Sequence, residues 1–473
     1  MSNPDPNKTA AMPAMPGFDP NRTIVTPIAP GSLTGTGSTD PNRTVAMTAA
    51  VIPAGISAEI TSSRDATMAN GPAREQFLLE IHGHSGDPGL PGISENAPRT
   101  PLNLCLVLDR SGSMEGAPLE YAKAACNYVI DFLGPNDVLS IVTFEEYVQV
   151  LMPPQRMTNR EAVKAGVRGL TVGNTTNLYE AISSGISQIM SAADPTRATR
   201  IVVLSDGDPT AGIKDFHSLV NLAGEAKQKG VTMTFLGFGP DYNEELLAAM
   251  AKKCGGNYAY IPRPELIPEV FRLEVDKLLG VIAMNVKLDL KLARWVQLKA
   301  ATGLAQPPSG NEFQIQLADL ERGELIQTVF DLEFTNHPLG HYRVMSGRLS
   351  YQDVGTGSMI TTDLDFVMEF TADAARYGVP PNAKVRQVAN VATASKVMEK
   401  TMMGLRTGQF STTQALDELQ KTQALLLTDG RIQEAQEVTL AMRALQTGDS
   451  GTAQKTLMGT VVNLDQGKSK PNP

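Results

Sequence analysis

Between residues 102 and 262, short unbroken apolar runs alternate with helical stretches, and this alternation constrains the fold more than any other feature of the chain. A strand that is apolar at every position has no wet face, so such runs fit parallel strands covered by helices on both sides. The runs are Leu102–Leu108, Val138–Phe144, Arg200–Leu204, Thr232–Phe238 and Asn257–Ile261. Helices are expected at Ala117–Leu133, Arg160–Leu170, Leu178–Ala193, Ile213–Lys229 and Glu244–Cys254, with another near Pro264–Leu279 leading out of the unit. The expectation is a Rossmann-like α/β domain with a central, mostly parallel sheet over residues 102–280.

The flanks obey a different period. Ile56, Ala58 and Ile60, then Phe77, Leu79 and Ile81, alternate with polar residues, and so do Val286, Leu288, Leu290 and Leu292. Alternation at period two is the mark of strands with one buried face. Residues 50–85 and 284–372 are therefore read as one antiparallel β-sandwich, split by the α/β domain and separated from it on one side by the Gly/Pro-rich stretch 83–101. From Val385 the apolar residues recur at helical spacing, and Ser411 with Gln414 forms a capping box. Residues 380–464 are expected to make a helical bundle, and residues 465–473 to fray.

Residues 1–49 are rich in Pro, Thr, Gly and Asn and poor in aliphatics, a composition that buries too little apolar surface to order itself. A short phrase recurs in this tail: Asp5-Pro6-Asn7-Lys8-Thr9, Asp19-Pro20-Asn21-Arg22-Thr23 and Asp40-Pro41-Asn42-Arg43-Thr44. Thr9, Thr23 and Thr44 each follow a basic residue in a Pro/Asn context, which suits a Ser/Thr kinase. A phosphothreonine there would carry about −1.5 to −2 charges and suit a forkhead-associated-domain reader.

Composition removes several function classes. The 41 Lys and Arg stand against 50 Asp and Glu, a net charge of −9, which disfavours nucleic acid as a partner. The chain has no run of 18 apolar residues, so no membrane span is expected. Three scattered cysteines, Cys105, Cys126 and Cys254, exclude a disulfide framework, fit a cytoplasmic location, and are expected in the core. His82 and His84 share one face of a strand but lack a third ligand, and are read as surface residues flanking a turn at Gly83. Trp295 is expected as a core or edge anchor.

The chemistry concentrates in Leu106-Val107-Leu108-Asp109-Arg110-Ser111-Gly112-Ser113-Met114, where an apolar strand runs into a loop with oxygen side chains at alternate positions. Two further loops, Asn174-Thr175-Thr176-Asn177-Leu178 and Leu204-Ser205-Asp206-Gly207-Asp208, belong to the same edge of the sheet. Ligands of open α/β sheets bind at that carboxyl edge. Hydroxyls with one or two carboxylates suit a hard divalent cation that keeps several waters. These three elements resemble the von Willebrand factor A domain family and its metal-ion-dependent adhesion site. The resemblance assigns Asp109, Ser111 and Ser113 to the first loop, Thr176, with Thr175 as its competitor, to the second, and Asp206 to the third.

The resemblance implies Mg²⁺, Mn²⁺ or Ca²⁺ as the ion and a protein partner whose Asp or Glu completes its shell. The function it implies is a metal-dependent scaffold or signalling adaptor, not an enzyme. One alternative is a non-motor accessory subunit that recruits substrate to an ATPase or metal-insertion complex. The other is a metallohydrolase built on Asp109, Asp206 and Asp208, against which stands the absence of a recognisable nucleophile context or phosphate loop.

Overall fold

The computed structural model describes residues 23–25, 56–84, 100–239, 242–304 and 306–469. The chain begins with β1 (Thr23–Val25), β2 (Ile56–Ser62), β3 (Ala66–Met68) and β4 (Ala73–Gly83). Next come β5 (Leu102–Asp109), α1 (Ala117–Phe132), β6 (Val138–Phe144), β7 (Val148–Arg156), α2 (Arg160–Arg168) and α3 (Leu178–Ser191). They lead to β8 (Ala198–Ser205), α4 (Phe216–Gln228), β9 (Thr232–Phe238), α5 (Glu244–Cys254), β10 (Tyr258–Ile261) and α6 (Ile267–Leu279). Strands then return as β11 (Val281–Leu292), β12 (Val296–Ala301), β13 (Glu312–Gln316), β14 (Leu320–Glu321), β15 (Leu325–Phe334), β16 (Gly340–Asp353) and β17 (Met359–Thr371). The chain closes with α7 (Ala374–Tyr377), α8 (Ala383–Arg406), α9 (Thr412–Thr428), α10 (Ile432–Gln446), α11 (Ser450–Asp465) and β18 (Lys468–Ser469).

The central sheet has the order β10-β9-β8-β5-β6-β7 and is parallel except for β7. Every residue of β5, β6 and β9 is buried, as their unbroken apolar runs require. Strand β7 has no such run. It carries Pro153 and Pro154 and exposes much of its length, a composition tolerated because it is an edge hairpin partner of β6. From β5 the chain moves outward to β6, whereas from β8 it moves the other way to β9. The crevice where the direction switches lies beyond the carboxyl ends of β5 and β8.

Two further sheets face each other across a common core. One has the order β1-β2-β4-β15-β12, with β18 also on β15, and the other β13-β11-β16-β17-β3, with β14 on β11. Strand β4 lies antiparallel to β15 from Ala73 opposite Phe334 to His82 opposite Leu325, so strands from before and after the α/β domain share one sheet. The burial of β17 alternates along nearly its whole length, the physical basis of the period-two pattern. Phe77 and Phe330 from one sheet meet Phe366 of the other edge-to-face at 5.9 and 5.6 Å. Trp295 packs against His337, Phe334, Tyr342 and Phe370 at one end of this core.

Helix α8 starts on the outer face of the first sheet, where Val385 packs against Leu78 and Val329. The helices α8 to α11 bury their own core around Met398, Leu419, Val438 and Leu457. Val462 of α11 enters the core of the α/β domain beside Tyr258 and Cys254. Lys252 clamps this contact, 2.7 Å from Glu399 and 2.6 Å from Asp465.

The ends of the chain differ from expectation. Residues 466–469 do not fray: Lys468 pairs with Glu324 at 3.0 Å and Glu321 at 3.4 Å, and the Gln327 amide donates to the Gly467 carbonyl. Charge and ladder hydrogen bonds hold what composition alone marks as loose. In the tail, Thr23–Val25 runs antiparallel to β2, with Ile24 opposite Glu59. The rest of residues 1–49, including Thr9 and Thr44, lies outside the described residues, as do 85–99 and 470–473.

Candidate metal centre

Asp109 is the last residue of β5 and is wholly buried, so its carboxylate needs partners supplied by the fold. The Ser111 amide donates to its Oδ1 at 2.8 Å, and the Ser205 hydroxyl donates to its Oδ2 at 2.7 Å. The chain then makes one 3₁₀ turn, Gly112–Met114, anchored by the fully buried Met114. This turn brings Ser113 across to the loop after β8, where its hydroxyl donates to Asp206 Oδ1 at 2.7 Å. The Ser111 hydroxyl stands 3.2 Å from that of Ser113 and 3.5 Å from Asp206 Oδ1.

The second loop is laced to both. Gly112 N–H donates to the Asn174 carbonyl at 3.4 Å and Gly173 N–H to the Arg110 carbonyl at 2.6 Å. Thr176 N–H donates to Thr210 Oγ1 at 2.8 Å, and Asn177 caps α3 through Oδ1. The hydroxyls of Thr176 and Ser113 flank Gly207: a Cβ there would lie 3.7 and 3.9 Å from them. The two threonines separate here, since the Thr175 hydroxyl is buried with no hydrogen-bond partner while that of Thr176 faces the third loop. The structure thus brings Asp109, Ser111, Ser113, Thr176 and Asp206 to one place. Asp208 stays exposed beside them.

Electrostatics at this point are lopsided. Burial first, and the charge of Asp206 second, push the Asp109 carboxyl up to about 7, although hydrogen bonds from Ser111 and Ser205 oppose the rise. Two carboxylates in a poorly solvated crevice, faced mainly by neutral hydroxyls, favour any cation that enters. The donor set is entirely oxygen, which fits a hard divalent ion.

Several residues that build the site carry no signal the sequence reading used. Glu145 buttresses the second loop: its carboxylate accepts from the amides of Tyr147 and Asn174, and pairs with Arg110 at 3.4 Å. Backbone donors hold it below the usual carboxylate range, that of Glu146 contributing most. Gly173 leaves it room, since a Cβ there would come within 2.4 Å of Glu145 Cγ. Ser205 had a signal, standing immediately before Asp206, yet only the parallel pairing of β5 with β8 brings it to Asp109.

The von Willebrand factor type A domain family matches residues 103–272. A Synechocystis protein, sll0103, is 33% identical over 208 residues, covering 44% of this chain and 49% of its own, and the match spans less than half the length of this relative and of an Escherichia coli protein, YfbK, covered over 42% of its length. Among solved structures, a von Willebrand factor type A protein from Catenulispora acidiphila aligns with a TM-score of 0.65 at 17% identity, covering 81% of this chain and 89% of its own. The ArnB paralog VWA2 from Sulfolobus acidocaldarius aligns with a TM-score of 0.59 at 16% identity, covering 85% and 98%. These likenesses show the fold: a von Willebrand A domain with antiparallel sheets and C-terminal helices around it. Such domains are typically interaction or adhesion modules and commonly bind a divalent metal ion. Among the described residues no helix is long and apolar enough to cross a membrane.

Proposed function

We propose that this chain, with its von Willebrand factor type A domain, is a protein-binding scaffold or signalling adaptor whose recognition element is a divalent cation held by Asp109, Ser111, Ser113, Thr176 and Asp206. One observation carries the proposal: three loops converge so that buried Asp109 and Asp206 share a crevice with the hydroxyls of Ser111, Ser113 and Thr176. Mg²⁺, Mn²⁺ or Ca²⁺ fits this donor set and, when bound, supplies an electrophilic centre to which a partner's Asp or Glu can bind. The chain's own residues prepare that contact. Ser111 and Ser205 fix the Asp109 carboxylate, neutral hydroxyls add no charge, and Glu145 with Arg110 fixes the second loop.

The surroundings suit a protein partner. Tyr147 in the β6–β7 turn, Ile213 in the loop after β8 and Phe216 at the start of α4 are exposed apolar residues at the same sheet edge. Aromatic and aliphatic anchors beside a charged contact are the usual composition of an interface core.

The test is affinity capture from native lysate with wild type, Asp109→Ala and Glu115→Ala, each with Mg²⁺ and with EDTA. Glu115 is exposed and stands outside the five. Partners retained by Glu115→Ala but lost with Asp109→Ala and with EDTA support the proposal; an identical partner set throughout overturns it.

A further inference from the structure

The outer face of the first sandwich sheet carries a second, chemically different cluster. Glu59 of β2 stands opposite Glu80 of β4, and His82 lies two residues further along β4 on the same face. One ligand atom from each of the three lies within 4.8 Å of the others. Gly83 makes no turn here but pairs with Ile56 inside the ladder, so His82 is not the turn-flanking surface residue that its sequence suggests. Its Nε2 is buried and has no hydrogen-bond partner.

Glu80 is completely buried. Its Oε1 accepts from Gln327 Nε2 at 3.1 Å, while Oε2 has no hydrogen-bond partner and meets the Lys384 ammonium at 2.5 Å. Lys384 stands in the first turn of α8 with half its side chain in solvent, so it can leave without disturbing the core. The neighbouring Val385 keeps the helix seated against Leu78 and Val329. The other titratable neighbour is His84, whose ring stacks on that of His82 at 6.3 Å and whose Nε2 bonds the Ser57 hydroxyl. Two carboxylates and an imidazole thus meet at one place, and the ammonium that holds Glu80 there is half in solvent.

We propose that Glu59, Glu80 and His82 form a site for a divalent transition-metal ion of the zinc type, which enters by displacing Lys384 from Glu80. One nitrogen and two carboxylates are a set that Zn²⁺ or Co²⁺ accepts with a position left for water, whereas a ring nitrogen disfavours Mg²⁺. The site lies in the sandwich, away from the five-oxygen crevice, and does not depend on that crevice binding metal.

The experiment is a Co²⁺ titration of the full chain in excess Mg²⁺, followed by visible absorbance, in wild type and in Asp109→Ala. One equivalent of Co²⁺ giving visible bands in both proteins, displaced by Zn²⁺, is expected. His82→Ala and Glu59→Gln should lose the bands while keeping the wild-type melting temperature in EDTA. Lys384→Ala should bind Co²⁺ about tenfold more tightly, because the competing ammonium is gone. Bands that survive His82→Ala, no bands in wild type, or an affinity unchanged by Lys384→Ala overturns the proposal.

Discussion

Strand β8 carries buried charge at both ends, and the two ends handle it in opposite ways. At the start, Arg200 reaches Asp319 of the sandwich at 3.0 Å, with Lys227 3.9 Å from the same carboxylate. Nearby, buried Glu274 pairs with Lys277 at 2.6 Å and accepts from Asn257 and Thr234. At the far end Asp206 and Asp109 face hydroxyls and amides. Buried charge that is matched within the chain fixes one domain against another, whereas buried charge of one sign invites an ion from outside.

The largest break in this contrast is Asp319→Ala. It leaves Arg200 and Lys227 buried without their carboxylate, and unfolding in urea should show a loss of about 3–5 kcal/mol. A loss under about 1 kcal/mol would mean that water or another carboxylate reaches these cations, and the contrast between the two ends would fail.

The opposite end should respond with the opposite sign. Asp109→Asn removes repulsion with Asp206, so the metal-free variant should melt no lower than wild type and should gain nothing from Mg²⁺. Wild type with Mg²⁺ a hundredfold above its dissociation constant should gain about 2.7 kcal/mol. Equal Mg²⁺ stabilisation of both proteins would remove Asp109 from the ligand set.

The pH dependence follows from the same carboxyl. In EDTA the folded chain keeps a proton on Asp109 up to about 7, whereas the unfolded chain releases it near the ordinary 3.8. The folded state therefore binds more protons across that window, and this group's contribution to stability falls as pH rises from about 4 to about 7. Melts across that range with and without Mg²⁺ should show this contribution disappear when the ion is present.

The smallest effect sharpens the comparison. Ser113→Ala removes the 2.7 Å hydrogen bond to Asp206 and the 3.2 Å contact with the Ser111 hydroxyl from an exposed position, a loss of about 1 kcal/mol without metal, with weaker Mg²⁺ binding by calorimetry. Asp208→Asn, equally exposed and outside the five, should stay within about 0.5 kcal/mol and leave Mg²⁺ affinity unchanged.

Much of the fold was legible because local pattern and burial agree. Unbroken apolar runs marked β5, β6 and β9, whose residues are all buried, and Ser411 with Gln414 capped α9 as their spacing required. Strand β7 was missed because an edge strand needs no apolar run, and Lys468–Ser469 because its order comes from charges far away in sequence. That the three loops meet at one edge of the sheet could be read because each follows a strand or opens a helix. Glu145 and Thr210 could not, since their roles exist only once the three loops are laced together.

The sequence by itself determined the alternation of periods, and with it a parallel sheet set into an antiparallel sandwich, because side-chain spacing and burial are local properties. It also determined which residue types stand at the carboxyl edge. Only the tertiary structure decided that Ser205 belongs to Asp109, that Arg200 faces Asp319, and that His82 shares a place with Glu59 and Glu80. Each of these depends on which strands become neighbours, and strand order is set by long-range packing that no local pattern contains.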